Sequence, residues 1–220
     1  MTQVLVLEVN PFAENAYLVW DEDSRECVIV DPGMYTQAEQ KRLVSAIKER
    51  ELTPVRLLNT HAHLDHVFGN AFVYRTWGLR PEIHPLEEVI LERYPEVCRM
   101  YGIPDAEPSP SAGALLQPGD VIRFGRSELR VLFTPGHSPG SISFYCESDA
   151  FVLGGDVLFW ESIGRTDLPG GDFSTLAQSI RRELYALPGE TVVFPGHGPA
   201  TTIRHEMGNN PFVPFSGSHG

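Results

Sequence analysis

The sequence predicts a layered α/β protein. Short β-rich segments alternate with helix-length amphipathic segments, the order expected when helices pack on the outside of sheets. The 220-residue chain is 42% hydrophobic, which is enough to bury one sizeable core. Five histidines and two aspartates fall into four short segments rich in Gly and Thr, and each segment directly follows a predicted strand. These observations predict a sheet scaffold whose loops bring the seven side chains to one edge.

The N-terminal half begins with β-structure. Residues 4–9, 15–20 and 27–30 are β-rich, and the polar turn at 21–24 makes the second and third of these a hairpin. Residues 55–59 form a short buried strand that leads directly into the first histidine segment. A further short strand is predicted at 81–84, and in the C-terminal half strands are predicted at 121–124, 129–133, 141–146, 151–153 and 191–194.

Helices are predicted between these strands from apolar residues at helical spacing. Residues 36–51 start with Thr36 and Glu39, which have the spacing of a capping box. Residues 68–77 end at Gly78, a residue type that commonly follows the last helical turn. The remaining predicted helices are 85–100, interrupted at Pro95, and 173–187, with Asp172 as its N-cap.

Composition excludes several classes of protein. A net charge of −12 disfavours binding to nucleic acid or to an anionic membrane surface, but leaves room for a small anionic substrate. The three cysteines are widely spaced and form no C-x-x-C pair, so we expect buried free thiols in a reducing cytosol. The start of the chain lacks a basic signal-peptide region, and no apolar stretch approaches the roughly 18–20 residues that cross a bilayer. We therefore expect a cytoplasmic protein.

The histidine and aspartate segments indicate metal binding. Imidazole nitrogens and carboxylate oxygens suit zinc, iron and manganese. Seven such groups are too many for one tetrahedral ion but suit two ions that share a carboxylate. Asp31, after the third strand, is expected to orient a ligand loop or its histidine. The seven candidate ligands are His61, His63, Asp65, His66, His137, Asp156 and His197.

The motif H-x-H-x-D-H at 61–66, followed by a later His, Asp and His, resembles the metallo-β-lactamase superfamily. Within it, the chain is most similar to the short glyoxalase II-like, or hydroxyacylglutathione hydrolase-like, hydrolases. The segments 155–172 and 194–203 carry this similarity. The resemblance implies a four-layer αββα sandwich of two mixed β-sheets with helices outside. It implies one domain over 1–220, an irregular tail from about residue 208, and no C-terminal helical domain of the glyoxalase II type.

The resemblance also implies a division of the ligands between two divalent ions. It assigns His61, His63 and His137 to the first ion, and Asp65, His66 and His197 to the second. Asp156 would bridge the two ions, with a hydroxide between them that attacks the substrate carbonyl. Asp65 and Asp156 are the catalytic carboxylates in this assignment. Zinc is the favoured metal, with iron or manganese as alternatives.

The function implied is hydrolysis of a thioester, with an anionic glutathione conjugate as substrate. A free thiol has a pKa of about 8.5, so a thiolate leaves without a strong general acid. We expect no counterpart of the basic helical domain that holds glutathione in glyoxalase II, and this expectation leaves the identity of the thiol open. Arg165 is the candidate clamp for a substrate carboxylate. The alternative for Arg165 is an internal ion pair with Asp167 or Asp172.

Other functions remain open at this point. The first alternative is an Fe(II)-dependent persulfide dioxygenase of the same fold, which would use two histidines and one aspartate. A lactonase or β-lactamase-like hydrolase is the next, followed by a non-catalytic metal-binding module. The expected partner is a small molecule, and the expected oligomeric state is a monomer or a homodimer.

Overall fold

The computed structural model describes residues 1–103 and 105–215. Two six-stranded mixed sheets pack face to face, and helices cover the outer face of each. This arrangement confirms the four-layer αββα sandwich. The end of the tail predicted to be irregular, residues 216–220, lies outside the described residues. None of the helices among the described residues is both long and apolar enough to cross a membrane.

The first sheet has its strands in sequence order. Its first three strands are antiparallel, so the hairpin predicted at 15–30 is confirmed. The remaining strands run parallel to the third. The strands are β1 (Thr2–Val9), β2 (Glu14–Asp21), β3 (Glu26–Val30), β4 (Thr53–Leu58), β5 (Pro81–Ile83) and β6 (Ala114–Leu115).

The described part of the second half of the chain, up to residue 215, supplies eight further strands: β7 (Val121–Phe124), β8 (Ser127–Phe133), β9 (Ile142–Cys146), β10 (Phe151–Gly155), β11 (Leu158–Phe159), β12 (Ser162–Ile163), β13 (Val192–Pro195) and β14 (Thr201–Thr202). The second sheet has the order β14-β13-β10-β9-β8-β7, while β11 and β12 form a separate hairpin. Within the second sheet, β10 and β13 pair in parallel and the other neighbours are antiparallel. Three of these strands (β11, β12 and β14), and β6 of the first sheet, escape prediction because each is two residues long.

Six α-helices within the described residues complete the layers: α1 (Gln37–Glu49), α2 (Leu64–Val67), α3 (Asn70–Trp77), α4 (Glu88–Met100), α5 (Phe173–Ser179) and α6 (Ile203–Asn209). The predicted capping box of α1 is present. The Thr36 hydroxyl accepts from the Glu39 amide at 3.3 Å, and the Glu39 carboxylate accepts from the Thr36 amide at 2.7 Å. Gly78 ends α3 in the left-handed conformation, and the Asp172 carboxylate caps α5, as predicted.

The helix predicted at 85–100 is not interrupted at Pro95. One 3₁₀ turn covers 85–87, and α4 then runs without a break through Pro95. A proline inside a helix removes one backbone hydrogen bond. Burial of Leu91, Tyr94 and Cys98 in a cluster with α2 offsets that loss. The prediction was wrong because it weighed the local backbone and not the tertiary packing.

The main core lies between the two sheets. Val19 and Val30 of the first sheet and Phe144 and Leu153 of the second are fully or almost fully buried there. Apolar side chains of α1 and α3 cover the outer face of the first sheet, and those of α5 and α6 cover the second. The three cysteines are free and buried, as predicted. Contacts between adjacent layers are thus stabilised by the removal of apolar surface from water.

Strands β4, β8, β10 and β13 end at the same edge of this sandwich. Each ends within four residues of one of the predicted ligand segments. The sheets therefore act as a rigid support, and the loops that leave them carry the polar chemistry.

Candidate metal centre

The first ligand group consists of His61, His63 and His137, and the structure brings all three together. His63 Nδ1 lies 2.8 Å from His137 Nε2, which lies 3.2 Å from His61 Nε2. Nitrogens bound at 2.0–2.1 Å to one tetrahedral zinc ion lie about 3.3 Å apart. Three ring nitrogens that face one another at this spacing have the arrangement of ligands around a cation.

The second group consists of Asp65, His66 and His197. Asp65 Oδ2 lies 3.2 Å from His197 Nε2 and 3.7 Å from His66 Nε2. A set of two imidazoles and one carboxylate suits zinc or a first-row transition metal.

Asp156 lies between the two groups. Its Oδ1 is 3.4 Å from His66 Nε2, and its Oδ2 is 3.5 Å from His137 Nε2 and 3.6 Å from His197 Nε2. Asp156 Oδ1 and His66 Nε2 are buried without a hydrogen-bond partner. Such buried atoms are costly unless a cation or water pairs with them. The donor set and its unpaired atoms thus fit divalent metal ions.

Glycine at position 196 permits the loop that carries His197 to lie close to the Asp156 carboxylate. A Cβ placed on Gly196 would collide with Asp156 Oδ1 and would lie 2.8 Å from His66 Cε1. The backbone of the loop that carries His197 can therefore pass directly beside Asp156 only when residue 196 has no side chain.

Two of the histidines are oriented by side chains behind them. Asp31 Oδ2 lies 3.1 Å from His66 Nδ1, and Thr60 Oγ1 lies 3.0 Å from His61 Nδ1. Asp31 also accepts hydrogen bonds from the Thr60 amide and hydroxyl. These contacts fix the ring orientations and confirm the supporting role predicted for Asp31.

Two further histidines are oriented by backbone carbonyls. His137 Nδ1 donates to the Arg165 carbonyl at 2.7 Å, and His197 Nδ1 donates to the Phe12 carbonyl at 3.1 Å. With these hydrogen bonds in place, the Nε2 atoms of both rings are free to act as ligands.

The electrostatics of the first group favour neutral imidazoles. Burial, followed by repulsion from neighbouring histidines, places the pKa of His61 well below its ordinary value and lowers that of His63 to about 4. Burial also lowers the pKa of His137, against the opposing pull of Asp156. Neutral imidazole is the form that binds a metal.

The second group has the opposite character. Burial alone would lower the pKa of His66, but the Asp156 and Asp65 carboxylates raise it well above the ordinary value. Burial alone would raise the pKa of Asp156 and of Asp65, but His66 and its neighbours hold both below the ordinary value. Metal binding here therefore competes with a proton on His66.

Sequence reasoning missed the support given by the start of β2. The Asn15 amide and the Tyr17 hydroxyl both donate to the Pro195 carbonyl, at 3.1 and 2.6 Å, and so hold the loop of His197. Glu14 is fully buried, and its Oε1 lies 3.7 Å from His66 Nδ1. The only signal in the sequence was a glutamate directly before the predicted strand at 15–20, a weak one because glutamate is usually exposed.

Arg165 lies beside this centre with an exposed side chain. Its guanidinium forms a bidentate ion pair with Asp167 at 2.7 and 2.8 Å, whereas Asp172 caps α5 instead. The ion pair considered for Asp167 is thus present. Contact between Arg165 and a substrate stays a prediction.

Comparison with known proteins places this geometry in a family. A family model described as the metallo-β-lactamase superfamily matches residues 9–197. The probable metallo-hydrolase YqgX of Bacillus subtilis is 39% identical over 210 residues, which cover 94% of this chain and 95% of that protein. The hydroxyacylglutathione hydrolase GloC of Haemophilus influenzae is 35% identical over 213 residues, which cover 94% of this chain and 96% of that protein.

Solved structures show the same relationship. BLEG-1, a B3 metallo-β-lactamase, is 38% identical and superposes with a TM-score of 0.87 over 96% of this chain and 99% of that one. TTHA1623, solved in a di-iron-bound form, is also 38% identical and has a TM-score of 0.84 over 95% of this chain and all (100%) of that one. A two-iron form of so similar a structure agrees with two adjacent groups of metal ligands here.

Proposed function

The chain belongs to the metallo-β-lactamase superfamily, and from this premise we propose that it is a metal-dependent hydrolase of thioesters, with hydroxyacyl conjugates of glutathione as the substrate class. The position of Asp156 carries the proposal. Its carboxylate lies within 3.6 Å of ring nitrogens from both ligand groups. One carboxylate shared in this way supports a centre for two ions at which water attacks a carbonyl.

The proposed ligands divide between two metal ions in the same way as the two groups in the structure. Zinc is favoured and iron or manganese is an alternative; such ions lower the pKa of bound water to roughly 7 and polarise a carbonyl. His61, His63 and His137 would hold the first ion, Asp65, His66 and His197 the second, and Asp156 both.

Asp65 and Asp156 are the proposed catalytic carboxylates. The neighbouring imidazoles keep the pKa of each below its ordinary value, so both are ionised at neutral pH. Asp65 would accept the proton released by the attacking water on the carboxylate oxygen that does not face His197 and His66, and Asp156 would hold the two ligand groups at a constant separation. The thiolate of a thioester then leaves without a dedicated acid, since a free thiol has a pKa of about 8.5.

The glutathione part of the proposal has two supports. The Haemophilus influenzae relative, 35% identical, is named a hydroxyacylglutathione hydrolase. The backbone carbonyl of Arg165 contacts His137, so its guanidinium extends from a residue beside the centre; the present partner of the guanidinium, Asp167, is exposed like Arg165 itself. An exposed ion pair contributes little free energy, so a substrate carboxylate can replace Asp167.

Replacement of Arg165 by alanine is expected to raise KM for S-D-lactoylglutathione by about 10-fold or more, because a charged hydrogen bond contributes about 1.5–3 kcal/mol. KM for a neutral thioester should change little. Steady-state kinetics with both substrates measures the difference. Asp167→Asn is the matched control, since it frees the guanidinium and should not raise KM for the anionic substrate. Equal effects of Arg165→Ala on both substrates would assign Arg165 a structural role.

The reaction itself is tested with protein reconstituted separately with zinc and with iron. We expect release of glutathione from S-D-lactoylglutathione without oxygen uptake. Oxygen consumption with glutathione persulfide, in the absence of thioester cleavage, would replace the proposal with the dioxygenase. A β-lactam and a lactone belong in the same assay, because the B3 enzyme BLEG-1 is 38% identical. Preferential cleavage of either would overturn the thioester assignment.

A further inference from the structure

A buried carboxylate behind the first ligand group has no part in the assignments above. Glu87 lies in the 3₁₀ turn that precedes α4 and is completely buried. Its Oε2 accepts a hydrogen bond from the Ala62 amide at 2.8 Å. Its Oε1 accepts from the Ser138 hydroxyl at 2.5 Å and from the Gly140 amide at 2.7 Å. Both oxygens are therefore used as acceptors, by donors from two separate loops.

Those two loops carry all three members of the first group. Ala62 lies between His61 and His63 in the chain, and Ser138 directly follows His137. One carboxylate thus connects the 61–63 backbone to the loop of His137. The relative position of the facing ring nitrogens depends on this connection.

Gly140 provides independent support for the contact. A Cβ at position 140 would lie 2.9 Å from Glu87 Cγ and Oε1 and 3.1 Å from the Glu87 amide nitrogen. Gly140 does not have a positive φ, so the backbone conformation does not require glycine. Its lack of a side chain serves the close approach of Glu87.

The second group has different supports. The Asn10 side-chain amide donates to the Asp65 carbonyl at 2.9 Å, and the Asn59 side-chain amide donates to the His66 carbonyl at 3.2 Å. Asp31 holds the His66 ring. A disturbance at Glu87 therefore falls mainly on the first group.

We propose that Glu87 is a positioning residue that sets the separation of the two loops and thereby determines metal affinity at the His61–His63–His137 group alone. This inference rests on the proposed metal centre but not on thioester chemistry. In Glu87→Gln the side-chain volume stays the same, but an amide NH₂ replaces one of the two accepting oxygens. That NH₂ would face a backbone or hydroxyl donor of one loop and could not accept its hydrogen bond. Loss of such an outer contact typically lowers metal affinity 10–100-fold.

The test measures zinc affinity of the metal-stripped full chain by competition with a chromophoric chelator. The His197→Ala background lacks a ligand of the second group, so zinc affinity measured in it is that of the first group. The His137→Ala background lacks a ligand of the first group, so zinc affinity measured in it is that of the second. Glu87→Gln should weaken zinc binding about 10- to 100-fold in the first background and leave it unchanged in the second. Ser138→Ala, which removes one of the three donors, should have the same selectivity with a smaller effect.

Glu206→Gln is the matched control. Glu206 is equally buried and accepts from Thr201 and Asn210, far along the chain from the first ligand group. Both glutamine variants should lower the melting temperature of the metal-free protein, but only Glu87→Gln should change zinc affinity. Equal weakening in both backgrounds, or unchanged affinity in a folded Glu87→Gln protein, would overturn the positioning role. Failure of the unsubstituted metal-stripped protein to bind zinc would overturn the metal centre itself, whatever the outcome of the thioester assay.

Discussion

Replacement of Asp156 by alanine is expected to deplete metal from both ligand groups and to reduce hydrolysis by roughly 10³-fold or more. The Asp156 carboxylate lies 3.4 Å from His66 Nε2, the nitrogen that faces the other candidate ligands, and within 3.6 Å of His137 and His197. Its removal leaves the first group without an anionic ligand. The second group keeps its two histidines but has Asp65 as its one remaining carboxylate. Elemental analysis after dialysis gives the metal content, and S-D-lactoylglutathione turnover gives the rate.

The matched comparison for Asp156 is His197→Ala. The His197 side chain is only half-buried, and its nearest ligand atom is Asp65 Oδ2 at 3.2 Å. Its loss should deplete mainly the second group and retain about one ion per chain. Equal and full metal content in both variants would show that Asp156 does not bridge the groups.

Removal of the metal by a chelator is expected to lower the melting temperature by on the order of 10 °C. An ion present at a free concentration of about 1,000 times its Kd adds about 4 kcal/mol to the stability of the folded state. The melting temperature of a domain of this size shifts by about 2–4 °C for each kcal/mol. The stripped centre also leaves Asp65, Asp156 and Glu14 crowded around His66. Scanning calorimetry with and without chelator, followed by zinc addition, measures the shift and its reversal.

The Asp156→Ala variant is the control for this experiment. Because it has little metal to lose, the chelator should hardly change its melting temperature. A shift of the same size in wild-type and variant protein would attribute the effect to the chelator itself. No shift in wild-type protein that contains two ions by elemental analysis would contradict the stabilising role of the metal.

Local sequence determined most of the regular structure. The capping box of Thr36 and Glu39, the turn in the β2–β3 hairpin and the glycine after α3 are contacts between residues close in the chain. Their chemistry is therefore visible without the fold. The ligand candidates are also visible in the sequence, because each follows a strand and the end of that strand is marked by the end of its apolar pattern. Resemblance to a family then supplied the pairing of the two sheets.

Only the tertiary structure decided how those candidates are supported. The Arg165 carbonyl holds His137 across 28 positions, and Glu87 connects Ala62 with Ser138 and Gly140 across 25 to 53 positions. A carbonyl belongs to every residue, and a glutamate is usually exposed, so neither stands out in the sequence. The continuous helix through Pro95 has the same origin, since the burial that offsets its lost hydrogen bond comes from α2. Residue types and their local spacing determined the elements and the ligands; long-range contacts determined their orientation, because orientation depends on partners that the chain brings together only when it folds.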